Sequence, residues 1–120
     1  ARYSKERVTF GHPICENQAI AFKLAEMATE IEVARAMLYN TARMSDNGVP
    51  FCKEATMCKM FCSEMCVRVC DMGLQIMGGY GLCNEYEVER FYRDAKLLTI
   101  GEGTSEICRM VVGRHVLKEY

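Results

Sequence analysis

The sequence has no tryptophan, only two prolines and no excess of either charge: 15 Lys and Arg stand against 16 Asp and Glu, for a formal net charge of −1. No basic stripe interleaved with aromatics is present, so nucleic acid is excluded as an expected partner. No apolar run reaches the roughly 20 residues needed to cross a bilayer, which excludes a transmembrane helix. No segment alternates polar and apolar residues with the period of two that marks a half-buried strand. There is no internal repeat and no low-complexity stretch. What remains is an ordinary globular composition, 50% hydrophobic and 26% charged, in a length of 120 residues that suits one modest core. We expect a single domain over 1–120. The chain opens on Ala1, and Ala1-Arg2-Tyr3-Ser4-Lys5-Glu6-Arg7 reads as the end of a helix. The expectation is a piece of a longer protein, with any targeting sequence outside it.

Cysteine is abundant, with eight in the chain. Cys58, Cys62, Cys66 and Cys70 recur every four residues inside one helical pattern, which stacks them on nearly one side of a helix. A secreted disulfide scaffold would spread its cysteines through loops. Zinc sites favour paired short spacings in loops. Disulfide geometry disfavours bridges between helical neighbours. The row reads as small packing thiols, with no metal, in a reducing compartment.

Two apolar stripes organise the chain. Ile20, Leu24, Met27, Ile31, Ala34 and Leu38 form the first; Phe51, Ala55, Cys58, Cys62, Met65, Val69, Met72 and Ile76 form the second. Alternating steps of four and three keep one seam against a partner helix. Ser45-Asp46-Asn47-Gly48-Val49-Pro50 separates them, a short connection that implies antiparallel neighbours. Gly78-Gly79-Tyr80-Gly81 ends the second helix. A short helix is expected from Glu85 to Tyr92, and a last one from about Thr104 to Lys118, capped by Thr104 or Ser105. The fold expected is all-α, an antiparallel up-and-down helical bundle whose first helix is truncated to a stump ending at Arg7. A missing helix would leave an apolar groove.

Three places hold residues suited to chemistry. Glu102 sits between Gly101 and Gly103 at the expected start of a helix, and a carboxylate in such a turn is a candidate general base. Arg7, followed by Thr9, Phe10 and Gly11, offers a guanidinium fork for a phosphate, although a surface Arg is the plainer reading. Gly78 to Gly81 follows a helix rather than a strand, so it is no Rossmann or Walker loop. It reads first as a helix stop, with Gln75 and open backbone amides nearby. The methionines at Met27, Met57, Met60, Met65, Met72 and Met77 read as core packing. His12 and His115 read as structural or exposed.

Taken in order, Glu6-Arg7, Phe10-Gly11, Pro13, Gln18-Ala19-Ile20, Lys23 to Met27, Gln75 to Gly81, Val88-Glu89-Arg90, Tyr92 to Lys96 and Glu102 to Ile107 resemble the C-terminal domain of the acyl-CoA dehydrogenases. The resemblance runs essentially end to end. It implies oxidation of an acyl-CoA thioester to a trans-2-enoyl-CoA, with FAD as cofactor and an electron-transfer flavoprotein as electron acceptor. It places Glu102 as the catalytic base, with Gly101 and Glu102 against the substrate. It implies that Arg7 contacts FAD phosphate across a subunit interface, with Thr9 and Phe10 beside it. Gln75 and Gly79 would meet the adenine end of a neighbouring subunit's FAD, and Thr104 and Glu106 the cofactor after the catalytic loop. A homotetramer or homodimer is implied, cytoplasmic in a bacterium or in the mitochondrial matrix otherwise. Gly101 departs from the family's frequent Tyr and reshapes the acyl pocket. The N-terminal helical and middle β-domains of the family are absent from these 120 residues, so the chain alone is expected to be inactive. Two other readings fit the residues: an acyl-CoA oxidase domain, and a non-catalytic helical oligomerisation module.

Overall fold

A computed structural model describes residues 1–120. Helix α1 (Arg2–Glu6) stops at Arg7, which takes extended backbone. A minimal antiparallel hairpin follows, β1 (Val8–Thr9) paired with β2 (His12–Pro13), with Val8 opposite Pro13 and Thr9 opposite His12. Its tip turns through Phe10 and Gly11, both at positive φ, 53° and 88°. Two left-handed residues in a row match the twist of a tight hairpin. The hairpin was not expected, and two residues per strand are too few to show alternation in sequence.

A 3-10 turn (Ile14–Glu16) leads into α2 (Gln18–Asp46). Gly48, at φ 66°, reverses the chain, and Pro50 cannot continue the helix. Then come α3 (Cys52–Met77), a 3-10 segment (Gly78–Leu82), α4 (Val88–Leu98) and α5 (Ser105–Glu119). No helix is long and apolar enough to cross a membrane.

The helix α3 is the hub, packing against α2, α4 and α5. Three contacts fix α2 antiparallel to it. Arg68 binds Glu30 at 2.6 Å, the Cys62 thiol faces the Ala34 carbonyl at 4.0 Å, and Met27 lies over Gly73. The pairs Lys53–Glu119 and Arg109–Glu64 set α5 antiparallel to α3 in the same way. The antiparallel all-α expectation holds. The short helix differs: it begins at Val88 and runs to Leu98, not from Glu85 to Tyr92. Tyr86 is drawn instead into an edge-to-face cluster with Tyr3 and Tyr80, at 6.0 and 5.8 Å between ring centroids.

Small side chains make the core. Ala34, Cys58, Ser63, Ala95, Ser105 and Cys108 are buried where helices meet, which lets backbones approach closely. All eight cysteines are free. The sulfurs of Cys58 and Cys62 lie 3.8 Å apart, far beyond the bonded distance of about 2 Å. Burial, reinforced by neighbouring thiols, pushes Cys62 and Cys70 up to about 11. At neutral pH these thiols stay protonated and behave as packing groups.

Candidate active site

The loop joining α4 to α5 carries Glu102. The amides of Ile100 and Gly101 both donate to the Leu97 carbonyl, at 3.0 and 2.7 Å, closing the end of α4. Ser105 N–H donates to the Thr99 carbonyl at 3.0 Å, so the segment between them is a tight, closed turn. Inside it Glu102 adopts φ 53° and Gly103 φ 100°. Left-handed backbone at a non-glycine residue costs about 1–3 kcal/mol and persists where surrounding bonds impose it. Here the glycine that follows and the bonds that close the turn impose it. A third tie comes from α3: Lys59 Nζ donates to the Gly103 carbonyl at 2.5 Å.

Glu102 is exposed and lines a groove of about 610 Å³ between α2, α3 and the end of α4. Leu38, Ala55, Cys58, Cys62, Leu97 and Leu98 supply its apolar wall; Thr41, Lys59 and Ser63 add polar atoms. Leu38 and Leu97 are 55% and 66% exposed, so the groove presents hydrophobic surface to solvent. Gly101 shares it. A carboxylate fixed beside an apolar wall suits proton abstraction from a carbon acid whose chain lies along that wall.

On the other side of the turn, α5 begins. Thr104 is its N-cap, accepting from Ile107 N–H at 3.4 Å. Glu106 has its carboxyl held below the usual range, first by its own backbone N–H, then by the Thr104 hydroxyl, with Arg109 and Lys96 nearby. Thr104, Ser105 and Glu106 line a second cavity of about 440 Å³ together with Arg68, Lys96 and Arg109. Arg68 and Arg109 are committed to Glu30 and Glu64, whereas Lys96 makes no ion pair. Ser105 is 95% buried by side-chain and backbone neighbours, and its Oγ has no hydrogen-bond partner. A buried, unpartnered hydroxyl beside a helix N-terminus and a free ammonium suits a polar, anionic ligand.

A third cavity, about 530 Å³, lies at the far end of α3. Arg7, Thr9, Gly78, Gly79 and Tyr80 line it. The Arg7 guanidinium stacks 5.1 Å from the Tyr80 ring centroid, and Tyr3 Oη donates to the Met77 carbonyl at 3.3 Å. Gly78 takes φ 60°, ψ −139°, a backbone open only to glycine. A side-chain carbon at Gly79 would meet nothing within 4 Å, so the backbone there is open to an approaching molecule.

The residues singled out in the sequence therefore fall into three groups. Gly101 and Glu102 meet at the groove, Thr104 and Glu106 at the start of α5, and Arg7, Thr9 and Gly79 at the far cavity. Phe10, fully exposed at the hairpin tip, and Gln75, exposed on α3, stand outside that cavity's walls. Sequence reading gave no site role to Lys59, Lys96, Ser105 or the Tyr3–Tyr80–Tyr86 cluster. Lys59 carried one signal, a single cation set in the Cys58–Cys62 row.

Residues 1–117 match the family model described as acyl-CoA dehydrogenase, C-terminal domain. The chain is 55% identical over 116 residues to "Probable acyl-CoA dehydrogenase YngJ" of Bacillus subtilis, covering 97% of this chain and 30% of that protein. It is 48% identical over 118 residues to the "Caffeyl-CoA reductase-Etf complex subunit CarC" of Acetobacterium woodii, covering 98% and 31%. The solved butyryl-CoA dehydrogenase of Megasphaera elsdenii superimposes with a TM-score of 0.95 at 46% identity, covering 97% of this chain and 30% of that one. The chain thus spans about 30% of the length of the relatives it matches. Its sequence and its helical fold agree: the chain belongs to the acyl-CoA dehydrogenase family, as that family's C-terminal domain.

Proposed function

We propose that Glu102 is the catalytic base of an FAD-dependent acyl-CoA dehydrogenase. Glu102 takes a proton from the α carbon of an acyl-CoA thioester while a hydride leaves the β carbon, and the product is a trans-2-enoyl-CoA. FAD, when bound, supplies the hydride acceptor and so carries both electrons away. The observation that carries this reading is the turn itself: a carboxylate held in left-handed backbone on the edge of an apolar-walled groove. The acyl chain lies against Leu38, Cys58, Leu97 and Leu98, where each buried methylene contributes about 0.8 kcal/mol. Gly101 keeps that wall open beside the base.

The chain's residues fit a dinucleotide cofactor at two places. Thr104, Ser105 and Glu106 serve the chain's own cofactor, with the orphaned Ser105 hydroxyl and Lys96 as polar partners. Arg7, Thr9 and Gly79 serve the cofactor of a neighbouring subunit, with Phe10 and Gln75 exposed outside that cavity's walls. The two cavities meet α3 at different places: Glu64, Val67 and Arg68 line the first, and Ile76 and Met77 the second, with Arg68 and Ile76 8 residues or about 12 Å apart along the helix. The protein then works as a homodimer or homotetramer. An electron-transfer flavoprotein is the proposed acceptor, in keeping with a relative named as a subunit of an Etf complex.

The test is Glu102→Gln in the full-length protein. Turnover should fall by about 10²–10⁴-fold, the range for a lost general base, while the visible flavin spectrum is retained. Undiminished turnover with acyl-CoA would remove Glu102 from the chemistry.

A further inference from the structure

We propose that Lys59 is a positioning residue for the base: its ammonium, by gripping the Gly103 carbonyl, fixes the turn that presents Glu102 to the substrate. The inference rests on the reading of Glu102 as base and extends it to a residue on another helix. Lys59 and Gly103 are 44 positions apart, and their bond is the only side-chain hydrogen bond from α3 to the turn. Lys59 lies in the same groove as Glu102, yet the two form no ion pair. Its charge is spent on a backbone carbonyl.

That carbonyl is the sensitive point of the turn. Gly103 follows Glu102 directly, and both are left-handed. Rotating the peptide after Gly103 changes the path of the chain at the base itself. Nothing else holds that oxygen strongly, since its other partner is the Cys108 thiol at 3.9 Å, a weak donor. A charge-assisted bond is roughly twice as strong as a neutral one. The helix beneath is anchored in turn, because Ser63 Oγ, itself buried, donates to the Lys59 carbonyl at 2.6 Å. A methionine or glutamine at 59 would keep the stem's packing and lose the ammonium.

The experiment compares Lys59→Met, Lys59→Arg and Glu102→Gln in the full-length flavoprotein. For Lys59→Met, kcat should fall by about 10- to 100-fold, the cost of misplacing a reacting group by about an ångström. KM for acyl-CoA and flavin content should hold, and the isotope effect with α-deuterated substrate should rise. Lys59→Arg should recover much of the loss. An inactive Glu102→Gln beside a fully active Lys59→Met would overturn the positioning role and leave the base intact. An active Glu102→Gln would sink the base reading itself. Loss of flavin or of thermal stability in both Lys59 variants would assign Lys59 to folding, which also overturns the inference.

Discussion

Gly101 and Glu102 are adjacent and obey different constraints. Glu102 needs the left-handed region and pays in strain; Gly101 does not use its freedom at all, because its φ is not positive. A side-chain carbon at 101 would meet the Leu97 carbonyl at 3.4 Å and Leu97 Cδ1 at 3.8 Å, ordinary contacts. The glycine therefore matters for the space it leaves in the groove. Gly101→Tyr in the full-length protein should fold, keep its flavin and still oxidise short acyl-CoAs. Its kcat/KM for longer chains should drop by about tenfold or more, as expected when a pocket loses room for a methylene. A chain-length profile identical to that of the unmodified protein would contradict this account. At Glu102 the same scale of reasoning points elsewhere, since what Glu102→Gln removes is the proposed proton acceptor rather than volume.

The start of α5 shows how one element joins stability to the site. Thr104 caps it and Glu106 answers from the first turn. Thr104→Ala should destabilise the protein by about 1 kcal/mol in urea unfolding, the usual worth of such a cap. The Glu106 carboxyl is held below its ordinary 4.5 in the folded state, so the folded form binds its proton less readily than the unfolded one. Its contribution is fully present above about pH 4.5 and fades as pH falls through the lowered folded value. Thr104→Ala should flatten that acid-side slope, because the Thr104 hydroxyl is one of its causes; an unchanged slope would discount it. The long helices were legible because their stripes repeat by four and three and because Gly48 and Pro50 interrupt them. The ends of α4 were not, since Tyr86 answers to Tyr3, 83 positions earlier, and no local pattern reports that contact. Glu102 stood out for its flanking glycines, and the structure sets it in a left-handed turn beside the groove. The Lys59 tie and the orphaned Ser105 hydroxyl were not, because both depend on which helices meet.

At the scale of the molecule, the proposed function assigns the Glu102 groove and the Arg7 cavity, both built on α3, to different reaction centres. Under that proposal the base of one subunit works beside its own cofactor, and its Arg7 cluster grips the cofactor of the next. Subunits carrying Glu102→Gln and subunits carrying Arg7→Ala should each be poor enzymes alone. Unfolded and refolded together, they should regain activity, since each mixed pair rebuilds about one of its two centres whole. Mixtures no better than the sum of their parts would place both residues in a single centre. The 120-residue chain by itself, given FAD and an acyl-CoA, should cause no sustained bleaching of the flavin; bleaching would show that these helices suffice. The length of α3 then carries a consequence for heredity. When centres are shared across subunits, a foldable copy defective at both ends spoils its partner's centre as well as its own. With half of the chains so altered, only about a quarter of centres join two sound halves. Such an allele would cost more activity than one that makes no chain, which leaves about half, and the rod that links the two sites would be the reason.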